Sequence, residues 1–228
     1  MDIRDLPIPG KASMAKVNAR HPWSHNDHFH GWILRNLPAR RRTAVDIGCG
    51  TGALAGKLAT RFTHVTAVDR DAGMVAAARA RLHDLPQVSV CRCDFAAVRS
   101  KAGDEGADLI TMVAVLHHLD LDATLAQIPA LLAPGGRLLV VGLARPHSVG
   151  DLVVDVASTA ANPVMGMIKH PRAARSTQRS VHAQPVMPMK DPASTIAEIT
   201  KSANAHLPGS TVRRRLFFRY TLRWEKPH

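Results

Sequence analysis

Aromatic side chains are scarce in this 228-residue chain: they make up 4% of it, with a single tyrosine, Tyr220. So sparse a set offers few platforms on which bases could stack, which argues against a binder of single-stranded nucleic acid. Cysteine is rarer still, limited to Cys49, Cys91 and Cys93. An odd number without zinc-type spacing excludes a disulfide framework, so reduced, buried thiols are expected. No apolar run reaches membrane length, and the opening "MDIRDLPIPG" carries acids and prolines where a secretory leader needs a basic end and an apolar stretch. The expectation is a soluble, cytoplasmic protein without a membrane span. Acids are also few, 18 against 30 lysines and arginines, for a formal net charge of +12. Residues 1–145 hold 18 basic and 13 acidic side chains, residues 146–228 hold 12 and 5, so positive charge is denser toward the C-terminus. Such a surface suits an anionic small molecule or simply solvation, and no specific nucleic-acid partner is expected.

What the chain does have is rhythm. From residue 43 onward, short apolar runs alternate with segments of helical period, the pattern of a parallel sheet covered on both faces. "TAVDIG", "HVTAVDR", "VSVCRCD", "DLITMVAVL" and "RLLVVGL" read as five successive strands. The fourth is apolar almost throughout, as a central strand requires. Between them Leu54, Leu58 and Phe62, then Met74, Ala78, Leu82 and Leu85, then Leu125, Ile128 and Leu132 mark helix stripes. The last of these helices should stop at "APGG", residues 133–136. Residues 146–190 are broken by Pro163, Pro171, Pro185 and Pro188 and read as a cap or insertion. A final helix is expected from about Pro192 to Ala205, and "STVRRRLFFRYTLRWEKP" alternates like paired terminal strands. The division is 1–42 as an N-terminal segment, 43–145 as an α/β core that begins near Thr43, 146–190 as the cap, and 191–228 as the end of the same domain.

"DIGCGTGALA", residues 46–55, joins the first strand to a helix through Gly48, Gly50 and Gly52. Glycines let backbone approach a ligand that side chains would exclude, and a helix start offers free N–H groups. With Ala53 the loop satisfies the dinucleotide fingerprint, and Asp69 stands at a suitable distance for a ribose. Other features turn the reading away from a nicotinamide enzyme. Asp46 sits immediately before the loop, where it suits an ammonium better than a pyrophosphate. The only tyrosine is followed by "TLRW", so no Tyr-x-x-x-Lys pair exists. Asp94 ends the third strand, so three successive strands offer a carboxylate at the edge where open α/β sheets bind ligands. A nucleoside with an amino-acid tail would engage all three.

"AVDIGCGTG", "VTAVDRDAGM", "CRCDF", "ADLITMVAVLHHL" and "LLAPGGRLLVVG" follow one another in an order that resembles the class I S-adenosylmethionine-dependent methyltransferases, particularly small bacterial enzymes acting on metabolites. The resemblance covers residues 43–145 strongly and the ends weakly. It implies a Rossmann-like, doubly wound α/β sheet of seven strands, S-adenosyl-L-methionine as cofactor and S-adenosyl-L-homocysteine as product. It further implies that Gly48, Gly50 and Gly52 approach the methionine and ribose portion, that Asp46 orients that end, and that Asp69 accepts the ribose hydroxyls. Met74 or Arg70 would flank the adenine, Asp94 would accept its exocyclic amine, the Phe95 backbone would meet a ring nitrogen, and a carbonyl of Met112 or Val113 would accept from the ammonium. Asp71 is expected to cap a helix, and Cys49 to be packed rather than reactive.

"HPWSHNDHFHGW", residues 21–32, gathers His21, His25, His28 and His30 with Trp23, Phe29 and Trp32. The spacing fits neither a His-x-x-x-His helix pair with a third ligand nor a Cys/His site, so no metal is expected. Solvent-facing histidines are one reading. The preferred one is a lid over the site, with the aromatics as apolar cover and His25, Asn26 and His28 facing the cofactor carboxylate or the substrate. His118, with His117 next, follows the fourth strand; in the resembling family that position borders the substrate, which makes these two and His25 the candidate catalytic residues. The expected activity is methyl transfer to an oxygen, nitrogen or carbon of a small, anionic or apolar metabolite. Alternatives are a lipid-soluble acceptor such as a quinone, suggested by "PVMGMI" and "PVMPM", or a cofactor-binding regulator without turnover. Arg172 and Arg175 in the cap are candidate contacts for an anionic acceptor.

Overall fold

Strand and helix alternate along the chain as α1 (His25–Arg35), β1 (Thr43–Ile47), α2 (Ala53–Leu58), β2 (His64–Asp69), α3 (Ala72–Leu82), β3 (Val88–Arg92), β4 (Ala107–Val113), α4 (Leu121–Leu131), β5 (Leu132–Leu143), α5 (Ile196–His206), β6 (Thr211–Arg214) and β7 (Arg219–Glu225). Single 3-10 turns lie at Phe95–Ala97 and Leu116–His118. The computed structural model describes residues 25–98, 105–145, 192–215 and 219–228; the expectations for His21, Trp23, the cap at 146–190, its Arg172 and Arg175 and its methionine stretches lie outside them.

The strands form one seven-stranded sheet in the order β3-β2-β1-β4-β5-β7-β6. β1 to β5 pair in parallel, and β7 runs antiparallel to both its neighbours. This is the doubly wound, Rossmann-like α/β sheet expected from the sequence. Strand order reverses between β1 and β4, so the two loops leaving those strands diverge to opposite faces and open a crevice. β4 is buried along its length until Val113, which is why it reads as apolar almost throughout.

Two cores flank the sheet. On one face α1, α2 and α3 contribute Phe29, Ile33, Leu54, Leu58, Ala78 and Leu82; on the other, α4 and α5 contribute Leu125, Ile128, Ile199 and Ala203. Among the described residues, buried core positions reach back to Phe29, ahead of the first strand. Phe29 and Ile33 are 5% and 0% exposed, and burying such side chains stabilises by about 1.5–3 kcal/mol each. Arg137, at the start of the β5 ladder, donates from Nη1 to the carbonyls of Asn36 (3.0 Å) and Leu37 (2.8 Å) just beyond α1. α1 packs over β5, so its first turn points toward the C-terminal end of that strand.

Three local expectations are corrected. α4 stops at Leu131, and Leu132 already pairs with Ala107 as a strand residue. "APGG" then forms an irregularity inside β5, where the register jumps from Ala107/Leu132 to Leu109/Arg137. The last helix begins at Ile196, not near Pro192, because Thr195 accepts from the Glu198 amide while the Glu198 carboxylate accepts from the Thr195 amide. This reciprocal cap satisfies two otherwise orphaned donors and sets the boundary. Cys91 and Cys93 are half-buried because β3 is an edge strand, and only Cys49 is buried.

Candidate cofactor and acceptor site

At the crevice between β1 and β4, Asp46 is 2% exposed. Its Oδ1 accepts from the Thr111 hydroxyl at 2.7 Å, made possible by the direct pairing of Asp46 with Thr111 across the two strands. Among the described residues its Oδ2 is buried with no hydrogen-bond partner. Desolvation pushes the carboxyl up to about 7, with the nearby Asp69 charge acting in the same direction against the Thr111 hydrogen bond. A buried carboxylate with an unused oxygen is stabilised by a donor, and most by a cationic one.

The loop after Asp46 is tied down by its backbone. Gly48 and Cys49 both donate to the Val68 carbonyl at the end of β2 (2.8 and 3.0 Å), and Gly50 donates to Asp69 Oδ2 at 2.9 Å. All three sequence-predicted glycines have positive φ, but they do different work. A Cβ on Gly48 would overlap the Val115 side chain, and one on Gly52 would come within 2.6 Å of Leu82. These two glycines allow close packing of the loop on its neighbours. A Cβ on Gly50 would meet none of the described residues within 4 Å, so among them its position faces open space. Cys49 packs beneath, its thiol pushed up by burial and by the Asp46 and Asp69 charges, which leaves little thiolate for nucleophilic work.

Asp69 ends β2 with Oδ1 accepting from the Asp71 amide at 2.9 Å and Oδ2 from Gly50. Asp71 is the helix cap, accepting from Met74 N at 2.9 Å. Asp69 is thereby free of the capping role and half-exposed at the sheet edge. Asp94 is exposed, and its side chain makes no cap bond to the turn Phe95–Ala97 that it precedes. Phe95 is half-buried, Met74 is buried under the first turn of α3, and Arg70 is exposed. Met112 is fully buried, whereas Val113 is half-exposed at the end of β4. Asp46, Asp69 and the glycine loop are thus joined by hydrogen bonds and by electrostatic coupling, and Asp94 stands at the end of the next strand outward.

Sequence reasoning passed over Thr111, Ala114 and Val115. Thr111 was legible as the one hydroxyl in an otherwise apolar central strand. Ala114 adopts φ 57°, and among the described residues it is the one non-glycine with positive φ. This left-handed backbone costs of order 1–3 kcal/mol for such a residue. Its amide donates to the Val141 carbonyl at 2.8 Å, which sends the chain away from the sheet toward the histidine turn.

His117 and His118 lie in the turn Leu116–His118 with ring centroids 4.1 Å apart. His117 lines a pocket of about 520 Å³ at the ends of β4 and β5, together with Leu116, Leu121, Leu143, Ile199 and Tyr220. A Cβ on Gly142 would overlap the Tyr220 ring, so the glycine admits the tyrosine there. His25 is the first residue of α1. His30 is 4% exposed, with Nδ1 3.0 Å from Lys57 Nζ, so it is an internal histidine rather than a solvent-facing one. No cluster of potential metal ligands occurs among the described residues.

A methyltransferase-domain model matches residues 45–138, the stretch that builds this crevice. Over 211 residues the chain is 31% identical to an uncharacterized methyltransferase of Mycobacterium tuberculosis, covering 90% of this chain and 98% of that protein. The chain belongs to the class I S-adenosylmethionine-dependent methyltransferases. This methyltransferase also shares its fold with the solved DhpI–SAH complex (19% identity, 96% of this chain and 97% of the other, TM-score 0.57) and with magnesium protoporphyrin IX methyltransferase from Synechocystis with bound SAH (18% identity, 97% and 89%, TM-score 0.55). A ubiquinone biosynthesis O-methyltransferase of Xylella fastidiosa is 32% identical over 126 residues, 54% of this chain and 50% of that protein. S-adenosyl-L-methionine is the methyl donor. The residues present fit it: the orphaned Asp46 oxygen suits its ammonium, and the open position at Gly50 gives a ribose backbone access.

Proposed function

We propose that the methyltransferase divides its donor among three strand ends and presents it to a small-molecule acceptor at the ends of β4 and β5. The observation that carries this reading is the buried, unpartnered Oδ2 of Asp46 beneath the glycine turn. Asp46 and the Met112 or Val113 carbonyl would hold the ammonium. Asp69 would accept from the ribose hydroxyls with oxygen lone pairs left over from its two amide bonds. Asp94 and the Phe95 backbone would meet the adenine edge, with Met74 or Arg70 against its ring. When bound, S-adenosyl-L-methionine supplies an electrophilic methyl group on a sulfonium.

The protein's own work is then alignment and proton handling. Holding the acceptor atom in line contributes on the order of 7–11 kcal/mol, whereas a general base contributes about 3–5 kcal/mol. Positioning dominates, so the pocket walls matter more than any one base. His117 lines the pocket and is our choice to orient an acceptor O–H or N–H and take its proton; His118 and His25 are the remaining candidates. The apolar walls at Leu116, Leu121, Ile199 and Tyr220 suit the hydrophobic body of an acceptor, and the similarity to an enzyme named for ubiquinone biosynthesis favours a phenolic oxygen. α1, with its first turn toward the end of β5, would close the site as a lid.

Calorimetry with S-adenosylhomocysteine tests the donor assignment. Asp69→Ala in a folded protein should bind it more weakly by about 1.5–3 kcal/mol, as for loss of a charge-assisted hydrogen bond. Unchanged affinity would refute the role of Asp69. Turnover of a phenol panel with methyl-labelled donor, comparing wild type with His117→Ala, tests the acceptor side.

A further inference from the structure

Arg219 opens β7 directly opposite Leu143, the last residue of β5, and so stands at the same edge of the sheet as the donor site. It is 8% exposed, and among the described residues its Nε and Nη1 are buried without a hydrogen-bond partner. Burial pushes the guanidinium down to about 10, so it remains charged at neutral pH. An uncompensated buried charge is strongly destabilising, and native structures leave few such groups without a reason. The acids of the sheet do not supply the counter-charge. Glu225, on the same strand, lies at the opposite end and pairs with Arg137 at 2.7 Å. Asp46 is three strands away, about 14 Å at the usual strand spacing.

The backbone around Arg219 borders the acceptor pocket, which itself opens on the α4 and α5 face of the sheet. Leu143, its cross-strand partner, and Tyr220, its neighbour in sequence, both line the pocket that holds His117. Alternation along β7 turns Arg219 to the face opposite Tyr220, the face covered by α1. The first turn of α1 points to this end of β5, where the helix dipole adds positive potential.

We propose that Arg219 recognises an anionic oxygen group, carboxylate or phosphate, on the methyl acceptor, at the α1 side of the sheet edge. The guanidinium fork matches either group through paired N–H donors. β7 is two strands from β4, so the anion would lie about 10 Å from the end of β4. That separation fits an elongated acid, such as a phenol bearing a distant carboxylate, and excludes an α-amino acid methylated on its own nitrogen. The proposal rests on the acceptor lying at the ends of β4 and β5.

Thermal melts of the full chain, saturated with S-adenosylhomocysteine, test it with benzoate, phenyl phosphate, inorganic phosphate and neutral benzamide at matched ionic strength. Wild type should gain about 2–4 °C with benzoate or a phosphate and nothing with benzamide. Arg219→Met and Arg219→Gln should lose the anion response, Arg219→Lys should retain part of it, and all three should bind S-adenosylhomocysteine within about twofold of wild type by calorimetry. Benzoate alone responding identifies a carboxylate; both phosphates alone responding identify a phosphate. An equal anion response in wild type and Arg219→Met, or none in either, overturns the proposal. Loss of S-adenosylhomocysteine affinity in the Arg219 variants would assign the guanidinium to the donor's carboxylate and overturn it as well. The donor assignment fails separately, through Asp69→Ala.

Discussion

Asp46 on β1 and Arg219 on β7 make an instructive pair. Each is a buried charge at the same sheet edge with unused polar atoms. Three strand spacings apart, they attract each other by only about 1 kcal/mol at an effective dielectric of 20. Neither can serve as the other's counter-ion. They differ in what they do without a ligand. Asp46, with its carboxyl raised to about 7, can take up a proton as pH falls through that value and so shed its charge. Arg219 cannot, because guanidinium stays protonated throughout the physiological range. Asp46 can therefore relax its charge by titration, whereas Arg219, in the acceptor role proposed for it, keeps its charge with or without a ligand.

The largest expected effect breaks the comparison on the Asp46 side. A carboxyl whose folded value lies above its ordinary 3.8 costs nothing below that value and most above about pH 7, so ligand-free stability should fall as pH rises between them. Asp46→Asn should exceed wild type in denaturant-measured stability by on the order of 3–4 kcal/mol at pH 8, with the advantage vanishing near pH 4. An advantage independent of pH would mean that Asp46 does not titrate in this range. The next effect sharpens the contrast. Asp69, half-exposed and already bonded by two amides, should show the loss of S-adenosylhomocysteine affinity in Asp69→Ala, about 1.5–3 kcal/mol, with no comparable gain in stability.

The smallest effect concerns an exposed carboxylate that has partners, the opposite of both. Asp122 accepts from Ser202 Oγ at 2.6 Å and from His206 Nε2 at 3.2 Å, pinning α4 to α5. The Ser202 hydrogen bond, followed by His206, holds it below its ordinary value. Its contribution is present above about pH 4 and lost as pH falls through the lowered value. Ser202→Ala should make the melting temperature slightly less sensitive to acid between pH 5 and pH 3, by scanning calorimetry. An unchanged acid dependence would remove Asp122 from the account.

Of the fold, what was legible rested on periodicity. β4 reads as buried on both faces because it is, and α2 and α3 carry their stripes in sequence. Periodicity failed where local geometry or chain packing outweighed it. Leu132 continues the α4 spacing, yet it pairs with Ala107 in β5. Phe29 and Ile33 stand in a histidine-rich run that looks like surface, and only the approach of α1 to the sheet buries them. Asp46, Asp69 and Asp94, the carboxylates proposed to hold the donor, were visible as a set because β1 to β3 are parallel and consecutive, so their C-terminal ends must share an edge. Arg219 was invisible among the arginines of residues 213–223, since nothing local distinguishes a buried guanidinium from a solvated one.

By itself, then, the sequence determined the alternation of strands and helices, the glycine turn, and the three acids that follow successive strands. These are properties of neighbouring residues, governed by side-chain period and backbone sterics. Tertiary structure alone decided which glycine opens to a ligand and which two pack against Val115 and Leu82. It also decided that Asp46 loses its solvent and that Arg219 is enclosed without a counter-ion among the described residues. Those outcomes depend on desolvation and on distances between strands far apart in the chain, and no local pattern encodes either.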